Sequence, residues 1–222
     1  MAINIGWCTA NSHCSELLFE PPEPVRINVP CPVIGMWTTQ TFLLRAPYDF
    51  DLHLELGPRG PGLRWGEHAP SAAVHDCFAM TMPHIWRDPG KPQLMWRIDH
   101  LFLADEEVVM ENCAPFYHYP ERRVPGVLLP SRWDVNSWVR PLPWTFEWQD
   151  VDQPLSIRRG DPISYVRFHT RRFDDTFRMK RLAYTEEMAK AIERGRRLNF
   201  IKRKIPGFAQ RLLGYRPKRW LP

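Results

Sequence analysis

His53 and Glu55 stand two residues apart in Tyr48–Leu56, where Phe50, Leu52, Leu54 and Leu56 alternate with Asp49, Asp51, His53 and Glu55. The two-residue pleat of a strand puts His53 and Glu55 on one face. With a distant histidine they would make the two-His-one-carboxylate set that holds Fe(II) in jelly-roll oxygenases of the 2-oxoglutarate type. His100 is the third ligand this reading selects, with His118 and His169 as substitutes. The plainer reading is the solvated face of an amphipathic strand. Asp99-His100 and His75-Asp76 could each be half of an acid/base pair, but neighbours in a strand point to opposite faces and no nucleophile adjoins either. The chain has no G-x-S-x-G, P-loop, dinucleotide-binding glycine motif or H-E-x-x-H, so hydrolase, P-loop and Rossmann chemistries lack support.

Trp133, Trp138, Trp144 and Trp148 fall among Arg132 and Arg140. Exposed, such a cluster would stack on bases or sugars. Irregular spacing in a β-rich chain favours core and edge packing instead.

The elements that must position these residues are short. Twenty-three prolines in 222 residues disfavour long helices and suit strands joined by stiff loops, and 13% aromatic content argues for a folded core. Strands are expected at Met36–Arg45, pairing through the Ala46-Pro47 bend with Tyr48–Leu56. Others are expected at Gln93–Ile98, Glu107–Glu111, Ser137–Trp148, Leu155–Ile157 and Ile163–His169. Gly57–Gly62 reads as a loop at the tip of a hairpin. The fold expected is all-β: an antiparallel, jelly-roll-like sandwich with a basic amphipathic helix at its C-terminal end. Residues 1–33 read as an N-terminal arm, 34–173 as the sandwich body and 174–222 as a basic helical extension.

Charge marks that extension off. Residues 166–222 hold seventeen Lys or Arg against five Asp or Glu, whereas 1–165 hold thirteen against twenty. Such a split points to an anionic partner. Thr185 is placed to cap a helix whose first turn carries Glu186 and Glu187. Met188, Ile192, Gly195, Leu198, Ile201 and Ile205 recur at three-or-four spacing, with Lys190, Arg194, Arg197, Lys202 and Lys204 around the cylinder, and Pro206-Gly207 should end it. The partner-binding residues expected are Met188, Ile192, Arg194, Arg197, Ile201, Lys202 and Lys204. They would face a protein partner or a second copy, or nucleic acid through the charges alone. Docking of the stripe on the acidic body is the competing expectation.

Five cysteines, odd in number and without C-x-x-C spacing, read as reduced thiols. The first residues lack a basic and then apolar leader, and no run approaches a membrane span. The expected location is therefore cytoplasmic, or virion-associated in a host cell.

Cys31-Pro-Val-Ile-Gly-Met-Trp37 with its continuation to Leu52, Asp134-Val-Asn-Ser-Trp-Val-Arg-Pro-Leu142, and Arg159-Gly-Asp-Pro-Ile-Ser-Tyr-Val-Arg-Phe-His169 together resemble a family of uncharacterised proteins of tailed phages and environmental bacteria. The resemblance spans roughly residues 30 to 170 and implies a phage-associated setting with no activity attached. In that family the position matching His53 is not reliably His, which counts against iron. The expectation is a non-enzymatic interaction or structural protein, a virion or assembly component that works through its basic helix. The oxygenase and a nucleic-acid-binding accessory protein are the alternatives.

Overall fold

The computed structural model describes residues 2–10, 19–28, 30–58, 60–81, 86, 88, 90–118, 122–136, 138–202 and 219–221. Among the described residues, strands are the main regular structure and form four sheets. The first holds β1 (Ala2–Thr9), β8 (His100–Leu103) and β15 (Thr176–Arg181), in the order β15-β1-β8. A four-stranded sheet runs β10 (Gly126–Leu128), β12 (Leu142–Trp148), β7 (Gln93–Ile98), β6 (Phe78–Met80). A five-stranded sheet runs β11 (Ser131–Asp134), β9 (Val109–Cys113), β14 (Pro162–His169), β3 (Thr41–Arg45), β2 (Glu23–Pro24). The last runs β13 (Leu155–Ile157), β4 (Phe50–Gly57), β5 (Gly60–Trp65). Every pairing is antiparallel except β1 with β15. The helices are α1 (Pro32–Thr38), α2 (Ala72–His75) and α3 (Glu186–Lys202).

One core joins all four sheets. Leu142, Trp144, Phe146 and Trp148 of β12 meet Leu94, Trp96 and Ile98 of β7, Phe50 and Leu52 of β4, and Val166 and Phe168 of β14. Its rings meet edge to face in many pairs and stack in others, such as Trp144 on Phe146. Trp96 meets Tyr48, Phe50 and Trp144 edge to face and donates its indole N–H to the Tyr48 hydroxyl at 2.8 Å. Three of the four clustered tryptophans, Trp133, Trp144 and Trp148, are buried here, and Trp138 packs against the same core.

The ends of the chain depart from expectation. Residues 2–9 form a strand rather than an arm, and Ile3, Ile5 and Trp7 alternate into the core. The strand signal does not stop at Phe173: Phe177 and Met179 of β15 turn inward beside β1. The first and last strands thus share a parallel ladder, so the ends are structural parts of the body. Met36–Arg45 is also split. Pro32 suits the first turn of a helix, α1 occupies 32–38, and only Thr41–Arg45 is a strand, paired with β14 and β2 rather than with β4. The hairpin is present, but its turn is narrower than the glycine-proline run. Gly60 takes φ +107°, and Pro61 is tolerated because β5 is an edge strand.

Candidate functional site

Helix α3 begins as its sequence suggests: the Met188 amide donates to Thr185 Oγ1 at 3.3 Å, and Lys190 pairs with Glu186 at 2.7 Å one turn apart. The first positions of its apolar stripe, Met188 and Ile192, have a cover within the chain. Met188 is 3% and Ile192 7% exposed, packed on Cys8, Ala10, Leu101, Leu103 and Val139, with Leu182, Tyr184 and Trp220 around them. The Cys8 thiol lies 3.7 Å from the Met188 sulfur, and burial pushes its pKa up to about 11. Gly195 faces the Trp138 ring, where a Cβ would come to ordinary contact at 3.4 Å. The expectation that Met188 and Ile192 face an external partner is therefore corrected: apolar surface from β1 and β8 claims them first. The side chains of Arg197, Ile201 and Lys202 fall outside what the structure describes, as do Lys204 and the expected stop at Pro206-Gly207.

With the stripe turned inward, cations remain outside. Lys190, Arg194 and Arg196 are exposed on α3, and Arg178, Lys180 and Arg181 on β15. Arg181 also lies over the Trp7 ring at 5.6 Å. Among the described residues no carboxylate forms an ion pair with Arg178 or Lys180. In the preceding loop Arg171 reaches Glu107 at 3.3 Å and Arg172 reaches Asp174 at 3.2 Å, exposed pairs that contribute little. The charges of β15 had a legible signal, the alternation of Phe177 and Met179 with Arg178 and Lys180, which the arginine-rich context hides.

The iron set is not gathered. Glu55 is exposed and accepts from Arg64 Nε at 2.7 Å, and half-buried His53 shares its strand. His100 is in a different sheet, 1% exposed, flanked by Trp7 and Phe102 with Phe19 at its edge, its Nε2 3.1 Å from the Glu20 carbonyl. That bond makes Nε2 the donor and leaves Nδ1 buried without a hydrogen-bond partner. Burial holds its pKa down at about 4, against a smaller opposite pull from the Glu20 bond, so the ring is neutral. His169 pairs with Glu111 at 3.0 Å and His118 with the Tyr165 hydroxyl. Among the described residues no three of His, Cys, Asp and Glu come together as a metal-holding group. His75 stacks on Trp65 at 4.4 Å, away from any nucleophilic arrangement with Asp76, and Asp99 is buried 3.9 Å from Arg97.

Two polar clusters were not legible. Asp51, buried on the supposedly solvated face of β4, accepts from both terminal nitrogens of Arg158 at 2.9 and 3.2 Å and bonds His68 Nδ1 at 2.7 Å. Burial alone would raise its pKa; hydrogen bonds from Arg158, Ser156 and His68 outweigh that and hold it well below the usual carboxylate range. Gly160, at φ +86°, shapes the turn that delivers Arg158. On the outer face of the five-stranded sheet, Tyr165 carries Trp37, Phe116 and His118, and burial pushes its hydroxyl up to about 12. Val33, Met36, Phe116 and Tyr117 are exposed nearby or on α1. Each cluster ties together segments far apart in the sequence, Asp51 to Arg158 and Tyr165 to Trp37 and His118. No described helix is long and apolar enough to cross a membrane. Comparison with protein-family models, curated proteins and solved structures found no match.

Proposed function

We propose that the chain is a non-enzymatic interaction or structural protein, a virion or assembly component in a phage-associated setting, with its sheets packed as a jelly-roll-like sandwich. Its partner-binding surface is the basic C-terminal face formed by β15 and α3. One observation carries this reading: Met188 and Ile192 are used inside the chain while Arg178, Lys180, Lys190 and Arg194 point out. A surface that keeps its charges outward and its apolar groups inward recognises an anionic partner by complementarity. An acidic protein surface is the partner this reading favours. Nucleic acid is the second reading, supported by the same observation, because phosphates would engage the cations and leave the stripe to the body. The oxygenase reading draws no support from this arrangement, in which His53 and Glu55 share β4, Glu55 is paired with Arg64, and His100 lies in another sheet.

The test is fluorescence anisotropy of labelled poly-glutamate and of a twenty-nucleotide oligothymidylate with the full-length protein at 50 and 200 mM salt. The triple variant R178E/K180E/K190E is measured beside it. Salt-sensitive binding of poly-glutamate, weakened in the variant, is the expected result. Binding unchanged by the three reversals would remove the basic face from the account.

A further inference from the structure

Among the described residues, none bonds the backbone on the outer edge of β15. Leu182 N–H donates to the Trp7 carbonyl at 2.8 Å, and the parallel register sets Trp7 opposite Arg181. Even-numbered residues of this strand therefore turn their backbone groups to β1, and Phe177, Met179 and Arg181 turn their N–H and C=O to the other side. β15 ends the sheet there, with no further strand among the described residues. Phe177 also lines a groove of about 540 Å³ together with Val25, Arg26, Ile27, Thr39 and Phe42. Val25 N–H bonds Thr41 O at 3.0 Å, so by the same alternation Arg26 turns its own backbone groups away from β3.

Side chains select what could pair with this edge. Arg178 and Lys180 are exposed on the solvent face of β15, Arg181 is exposed at its end, and exposed Arg26 lines the groove. A second copy of β15 would bring like charges together, which is how proteins keep edge strands apart. An extended segment bearing carboxylates at alternate positions would complete the ladder and meet the cations with one face. We infer that the free edge of β15, with the adjoining groove, takes an extended acidic peptide by strand addition. This inference rests on the reading of the C-terminal face as the binding surface and names the partner's form.

The probe is a labelled, end-blocked octapeptide of alternating glutamate and valine, compared with the same peptide N-methylated at alternate positions. Both carry equal charge, but only the first can donate along the whole edge. Anisotropy with the full-length protein should show binding that weakens at least tenfold on N-methylation and at least tenfold in R178E/K180E. On saturation, exchange of the Phe177, Met179 and Arg181 amides should slow at least tenfold. Equal binding of the two peptides, or unprotected amides, overturns strand addition while leaving a charge-based binding surface standing. Binding of an oligothymidylate without the peptide does the same and selects nucleic acid. Failure of the peptide, poly-glutamate and the oligonucleotide alike overturns both the inference and the reading beneath it.

Discussion

Acid should loosen this protein first at His100. In an unfolded chain its imidazole titrates near the ordinary value of 6.5, whereas burial between Trp7 and Phe102 holds the folded value at about 4. The unfolded state therefore binds the proton more readily, and stability falls as pH drops below 6.5 and goes on falling to about 4. Linkage between these two values gives a loss of about 2 kcal/mol at pH 5 relative to pH 7.5, approaching about 3 kcal/mol below pH 4. His100→Phe keeps a ring in the stack and removes the titration. It leaves the Glu20 carbonyl without its donor, at a pH-independent cost of about 1–3 kcal/mol. Urea unfolding followed by tryptophan fluorescence at pH 7.5 and 5.0 gives the two differences. Wild type should lose about 2 kcal/mol more than the variant across that interval, because contributions from His118 and His169, both also held low by burial, cancel between them. Equal losses would refute the claim that His100 is buried neutral.

Ile192→Asp should destabilise the fold by about 2–4 kcal/mol, read as a lower melting temperature, because it places a carboxylate against Leu101 and Val139. A chain ending at Phe173 should lose its cooperative melt, since Phe177 of β15 belongs to the common core; a full-height transition would show the ends to be dispensable. Asp51 works in the same pH sense as His100 but over a more acid window. Its depressed pKa contributes stability above about pH 4, lost as pH falls further, so Asp51→Asn should leave the interval from pH 7.5 to 5 unchanged. Arg158→Met, by stranding that carboxylate, should cost about 3–5 kcal/mol in urea unfolding.

How legible was this molecule? Strands with a strict pattern were: β7 and β13 fall on the residues expected, β4 and β14 differ only at their ends, and β12 takes only the second half, Leu142–Trp148, of the strand expected from Ser137. Local patterns failed where meaning is set by distant partners. Thr41–Arg45 carries the same apolar residues whichever strand it pairs with, and only the fold assigns it to β14. Asp51 looks solvated in the alternation of its strand; it is buried because Arg158, more than a hundred residues on, supplies the counter-charge. Ala2–Thr9 does alternate, but eight residues do not announce a parallel neighbour near the other end of the chain. For the candidate site, the cap at Thr185 and the stripe at Met188 and Ile192 were readable. What the stripe touches was not, since amphipathic spacing fixes which face is apolar and not whose surface covers it. The pleat rule placed His53 and Glu55 on one strand, but no local signal could report that His100 lies in another sheet.

The central claim is that the outward cations of β15 and α3 form the binding surface, and the salt dependence of binding measures it most directly. Affinity for poly-glutamate should be followed from 50 to 300 mM salt for the wild type and for R178E/K180E/K190E. The account predicts a steep wild-type slope of log K against log salt that falls by roughly one for each cation removed from the contact. A slope the three reversals leave unchanged would contradict it.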